Sequence, residues 1–105
     1  MKRGEVWWAE FPKPAGGRPV VLLSRDEAYA VRELLTVAPV TTRVRALPVE
    51  VPLGKADGLD KPCVVNLDTL TTIPKRCLQR RIALLTQEKI KAIEEALRFA
   101  LGLEP

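Results

Sequence analysis

The sequence predicts an α+β or mainly β domain, with six or seven short strands in a strongly bent sheet or small barrel and one C-terminal helix covering part of it. Three observations lead there. Short apolar runs recur along the first 85 positions, separated by turn residues. The nine prolines and six glycines are scattered rather than clustered, so they punctuate turns and do not mark disorder. The hydrophobic period then changes once, after Leu85, from strand-like to helical. A length of 105 residues, 47% of them hydrophobic, suits one compact domain over residues 1–105.

EVWWAEF, Glu5 to Phe11, is aromatic and β-branched, stops before Pro12, and predicts the first strand. PKPAGG, Pro12 to Gly17, is a loop. Pro19 to Leu23 is a continuous apolar run, as expected of a strand covered on both faces. Arg25 to Arg32 is too polar for a buried strand and predicts a helical turn or short helix. Leu34 to Val40 is the next strand, with Pro39 pointing to an edge or a bulge. Leu47 to Leu53 alternates, with Val49, Val51 and Leu53 on one face and Glu50 on the other. After a loop with Gly54, Gly58 and Pro62, three more strands are predicted at Cys63–Leu67, Leu70–Ile73 and Arg81–Leu85. Ile90, Ile93, Leu97 and Leu101 then mark an amphipathic helix, with Thr86 as N-cap, Leu85 and Ile90 as a hydrophobic staple and Gly102 as the stop.

The formal charge is +4, and it is uneven: residues 1–85 carry an excess of five positive charges, the remainder an excess of one negative. That favours a polyanionic partner for the first part, although solubility alone accounts for so modest a charge. No apolar run approaches the ~18 residues of a membrane span, and the charged start MKRGE lacks a signal-peptide core. A cytoplasmic protein without a membrane partner is expected. Cys63 and Cys77 cannot make a zinc site without histidine, and there is none; in a reducing compartment two buried apolar thiols are expected rather than a disulfide. Neither metal nor cofactor is expected. The missing histidine also removes the commonest general base.

Three stretches carry chemistry-bearing side chains. In GGRPVVLLS, Gly16 to Ser24, Pro19 biases Arg18 toward extended geometry, and Gly16 and Gly17 allow close approach of a ligand. Arg18 is then either a solvated loop arginine or a rigid fork of donors for a phosphate. In VTTRVR, an extended chain places Thr41, Arg43 and Arg45 on one face, as a phosphate track or as a polar hairpin. In VVNLDTLTT, Val64, Asn66 and Asp68 share a face; Asn66 and Asp68 read bases or ribose, or form an Asx turn at a strand end. Of the adjacent tryptophans, Trp8, beside Val6, is expected in the core, and Trp7 is left open. Lys75, Arg76, Arg80 and Arg81 form a basic cluster that either attracts a polyanion or is a solvated face.

Taken in order, KRGEVWWAEF, GGRPVVLLS, VAPVTT, CVVNLDTLTTIPKRCL and the closing helix resemble the MazF/PemK (Kid) family, the toxin halves of type II toxin–antitoxin modules. The resemblance covers nearly the whole chain. It implies an SH3-like, strongly bent antiparallel barrel that forms a homodimer. It also implies a sequence-specific, metal-independent endoribonuclease acting on single-stranded RNA (mRNA, in some members tRNA or rRNA) and blocked by a cognate antitoxin. Arg18 matches the family's catalytic arginine and Thr41 its hydroxyl partner. Asp68 and Asn66 match positions that are catalytic or touch RNA in some members, and Lys13, Gly17, Thr42, Arg43 and Arg45 are expected along the RNA. One departure is plain: PKPAGGRP is short and lacks the acidic residue that many members carry before this arginine, which leaves Asp68 as the candidate base. Two rivals stand beside this reading: a non-enzymatic toxin of the same fold that poisons a topoisomerase through its C-terminal helix, and a plain SH3-like nucleic-acid-binding module.

Overall fold

The computed structural model describes residues 1–103; Glu104 and Pro105, the end of the expected domain, lie outside the described residues. The strands are β1 (Glu5–Phe11), β2 (Gly16–Leu22), β3 (Leu34–Thr41), β4 (Glu50–Leu53), β5 (Cys63–Asn66), β6 (Thr71–Pro74) and β7 (Leu78–Leu84); α1 (Ala28–Val31) follows β2 and α2 (Gln87–Leu101) follows β7. They form one antiparallel sheet in the order β4-β5-β3-β2-β1-β7, with β6 also on β3. The sheet curls into a half-barrel, as the sequence predicts, and α2 lies at its end.

Two features curl it. The β1–β7 ladder shifts register between Val6 and Trp7 and again between Trp8 and Ala9, and such bulges sharpen the local twist. Strand β3 also changes neighbour along its length, pairing with β6 from Leu34 to Val37 and with β5 at Val40 and Thr41. Pro39 stands at this change of partner, inside the sheet and opposite Val20 of β2. The expectation of an edge or a bulge is therefore corrected: a proline is tolerated within the sheet where one neighbouring strand has ended and the next has yet to begin.

Other boundaries move as well. Strand β2 begins at Gly16, so Gly16, Gly17 and Arg18 pair with Phe11, Glu10 and Ala9 instead of forming a loop. Strand β4 is only Glu50–Leu53, and β7 starts three residues before the expected Arg81.

Apolar side chains gather on both sides of the sheet. Val6, Val21, Val40, Val51, Val65 and Leu67 pack with Ile93 and Ala96 of α2, whereas Ala9, Val20, Leu22, Leu35, Val37 and Ile73 pack with Ala28 and Tyr29 around α1. The run Val20–Leu23 alternates between the two clusters, which explains its unbroken hydrophobicity. Helix α2 is bounded as predicted: the Thr86 hydroxyl accepts from the Lys89 N–H at 3.2 Å, and Gly102 closes it with φ 67°. Leu101 departs from the expected buried stripe and is exposed. Gly4 is held under the helix at φ 94°, where an added Cβ would stand 2.4 Å from Ile90 Cδ1; only glycine suits that position.

Tyr29 couples this packing to pH. Its hydroxyl donates to the Ser24 carbonyl at 3.0 Å. Burial above all, and then the Asp26 charge, push its pKa up to about 12 from 10.0. The folded pKa lies above the unfolded one, so the stabilisation is complete below pH 10 and is lost as pH rises toward 12, on the order of 2–3 kcal/mol in all. Melting temperature should therefore fall over that interval, and Tyr29→Phe should flatten the fall. Tyr29 is the chain's one tyrosine, so tyrosinate absorbance reads its titration directly; a midpoint near 10 in the folded protein would contradict the assignment.

Candidate functional site

The last β2–β3 pair in the ladder is Val20 with Pro39. Continued two positions past the end of that ladder, the register aligns Arg18 with Thr41. Both line a groove of about 480 Å³ with Gly17, Thr42, Arg43, Arg45, Asn66 and Thr69, floored by Pro39 and Val40. The groove thus gathers residues 23 positions apart, which the sequence alone does not place.

The groove is cationic. Arg18 is exposed, and among the described residues neither Arg18 nor Arg43 has an ion-pair partner. Arg45 is held by Glu50, whose Oε1 accepts the Arg45 N–H at 2.9 Å and whose Oε2 lies 3.7 Å from Arg45 Nε. The Glu50 side chain is almost wholly buried, so this carboxylate fixes the Arg45 backbone and tempers its charge. Glu50 is a residue that the sequence reading missed; its one signal was a lone acid inside an alternating apolar strand.

Thr41 ends β3, and the chain bends at Thr42 and runs irregularly to Leu47. The expected common strand face of Thr41, Arg43 and Arg45 is therefore not formed; the bend itself turns Arg43 and Arg45 along the groove. The Arg43 N–H donates to Thr41 Oγ1 at 3.1 Å. That occupies an acceptor lone pair of the hydroxyl and leaves its hydrogen to donate outward.

The remaining expected residues divide. Asn66 lines the groove, but its Oδ1 accepts the Asp68 N–H at 2.9 Å and its Nδ2 donates to Thr69 Oγ1 at 3.2 Å, so its amide is committed to an Asx turn. Asp68 is exposed and is not among the residues lining the groove, which places the candidate base outside it. Lys13 lies in the β1–β2 turn, also outside the lining. Gly17 serves a neighbouring side chain: a Cβ there would meet Trp8 Cζ2 at 2.4 Å, so the absent side chain makes room for the indole.

The expectation that Trp8 is core is corrected, and Trp7, left open, is the one that packs on a core cluster. Trp7 packs against the cluster around α1 and donates Nε1–H to the buried Glu5 at 2.8 Å. Trp8 is half-buried and lines a second opening of about 520 Å³ that shares Val40, Thr41 and Thr42 with the first. The basic cluster also divides. Lys75 donates to the Tyr29 carbonyl, Arg81 lies 3.6 Å from Glu5, and Arg80 sits over Trp8. Both cysteines are free; Cys63 is buried, which together with Asp57 pushes its thiol pKa up, whereas Cys77 is only half-buried. Among the described residues no three His, Cys, Asp or Glu side chains gather as metal ligands.

Residues 2–101 match the PemK-like, MazF-like toxin of type II toxin–antitoxin systems. The chain is 40% identical over 100 residues to a probable endoribonuclease MazF5 of Mycobacterium tuberculosis, covering 94% of this chain and 91% of that protein. Among solved structures it is similar to Mycobacterium tuberculosis toxin MazF-mt6, with TM-score 0.88, 36% identity and coverage of 96% and 99% of the two chains. It is also similar to an endoribonuclease in complex with its cognate antitoxin from Mycobacterial species, with TM-score 0.87, 27% identity and coverage of 100% and 98%.

Proposed function

Because the chain belongs to the PemK-like, MazF-like toxin family of type II toxin–antitoxin systems, we propose that it is a cytoplasmic endoribonuclease toxin that cleaves single-stranded RNA without a metal. The observation that supports this reading most directly is the placement of Arg18 and Thr41 along one cationic groove. RNA carries its own nucleophile. The ribose 2′-oxygen attacks the adjacent phosphorus, the bond from phosphorus to the 5′-oxygen breaks, and the products are a 2′,3′-cyclic phosphate and a 5′-hydroxyl. The 2′ proton passes to water, since no carboxylate is among the residues lining the groove, and the leaving oxygen takes a proton from water.

Negative charge gathers on the non-bridging oxygens as phosphorus becomes pentavalent. Arg18 offers two parallel N–H donors to them, and Thr41 adds its outward O–H. Arg43 and Arg45 hold the flanking phosphates and set the strand's register without reading bases. A second copy of the chain and a cognate antitoxin that covers the groove are the proposed protein partners; a similar endoribonuclease has been solved with its cognate antitoxin.

The test is cleavage of single-stranded RNA in excess EDTA, beside a DNA strand of the same base sequence. RNA should be cut to fragments with 2′,3′-cyclic phosphate and 5′-hydroxyl ends, and the DNA, which lacks the nucleophile, should stay intact. Cleavage of both strands would reject 2′-hydroxyl attack. Binding of RNA without cleavage would favour a nucleic-acid-binding module.

A further inference from the structure

The second opening, beside Trp8, is assigned no role by the cleavage chemistry, yet it meets the first along Val40, Thr41 and Thr42. A strand whose phosphate lies at Arg18 and Thr41 therefore has this space next to the cleaved bond. Its chemistry differs from that of the first groove. An aromatic ring and a guanidinium make a cation–π contact here, with the Arg80 Cζ 5.5 Å from the Trp8 ring centroid. The indole is pinned, because Nε1–H donates to Glu10 Oε1 at 3.1 Å and Gly17 leaves no gap beside the ring. Arg80 is exposed, so the face of its guanidinium turned away from Trp8 is open to a ligand. Lys61 and Asp60 complete the polar lining, and Leu59 contributes an apolar wall.

We infer that this opening holds the base of a nucleotide flanking the cleaved bond, stacked on the Trp8–Arg80 pair, and that it selects a purine there. The inference rests on the proposed RNA cleavage for the position of the strand. Unpaired bases stack on arginine planes as well as on aromatic rings, and a guanidinium is weakly hydrated enough to be covered readily. A pair already in contact in the free protein loses little freedom when a base is added. Stacking grows with ring area, and preferences that come from stacking strength need no hydrogen-bond readout; the two-ring base wins. Trp8 and Arg80 act here as specificity-determining residues and not as catalytic ones.

Two measurements test the assignment separately from cleavage. In the first, deoxyadenosine and deoxycytidine oligonucleotides, which lack the 2′-hydroxyl, are titrated against the full chain while tryptophan fluorescence is followed. Quenching should be stronger with deoxyadenosine, should vanish in Trp8→Phe, and should need about tenfold more ligand in Arg80→Ala. In the second, RNA fragment ends are sequenced for the parent and for Arg80→Ala. The parent should favour a purine at one position beside the cut by about tenfold, and the variant should lose that preference while preferences elsewhere persist. An unchanged preference at every position in Arg80→Ala, or quenching that survives in Trp8→Phe, would overturn the inference even if RNA is cleaved. Quenching as described without cleavage of any RNA would instead overturn the proposed function and leave the base site standing.

Discussion

Arg18→Ala should abolish most RNA cleavage, lowering kcat by about a hundredfold to a thousandfold, the loss seen when one preorganised donor to a developing oxyanion is removed. The direction follows from placement. Arg18 is exposed and, among the described residues, makes no ion pair, so the folded protein does not use it for stability. Stability should therefore stay within about 0.5 kcal/mol of the parent's, as for other surface changes. Because the phosphate is already charged in the ground state, KM should rise too, but by less than kcat falls, since the transition state concentrates more charge on the same oxygens. Arg18→Lys separates charge from geometry. It keeps the cation and loses the planar fork, so binding should recover while kcat stays well below the parent. Cleavage by Arg18→Ala at the parent's rate would remove the proposed mechanism.

Much of the fold was legible because it is written in local patterns. The seven residues of β1 begin and end where EVWWAEF does, and Thr86 and Gly102 bound α2 as read. Val49, Val51 and Leu53 are all buried, as their alternation requires. The misses come from partners that a single strand does not reveal. Pro39 looked like an edge residue because proline lacks a ladder donor, and nothing in LLTVAPV announces that β6 gives way to β5 beside it. Gly16 and Gly17 read as loop because two glycines weaken strand propensity, yet β1 offers them a ladder and Gly17 admits the Trp8 ring.

The same limit governs the site. Residue type and resemblance point to Arg18 and Thr41; that both line one groove depends on strand pairing that no local pattern encodes. Trp8 was assigned to the core because it shares a side of β1 with Val6. The sheet, however, is covered on both faces. Trp7 finds the cluster around α1, while Trp8 packs into neither cluster and is left at an opening. Face alternation holds; what it does not reveal is how far along β1 the core on the Val6 face extends, and Trp8 lies past its end. Asn66 and Asp68 illustrate the opposite case, for the turn reading of NLDT needs only contacts three residues apart, and the Asx turn is what forms.

Thr41→Val should lower kcat by roughly tenfold to a hundredfold, the scale of one neutral donor to a charged acceptor, and Thr41→Ser should restore most of it. Valine keeps the shape and β-branching that suit the last position of β3 opposite Val64, so the sheet has no reason to open. The cost to the bend is small, since the Arg43 N–H that loses its Thr41 acceptor is exposed and finds water. Serine keeps the hydroxyl and its backbone tie, which makes rescue a test of the O–H and not of packing. The stronger test is the pair. If Arg18 and Thr41 serve the same phosphoryl group, removing either misplaces it for the other, and the Arg18→Ala, Thr41→Val double variant should lose markedly less activity than the product of the two single losses. Strictly multiplicative losses would mean that the two residues act on separate features of the RNA, and the shared-phosphate geometry drawn from the β2–β3 register would fall.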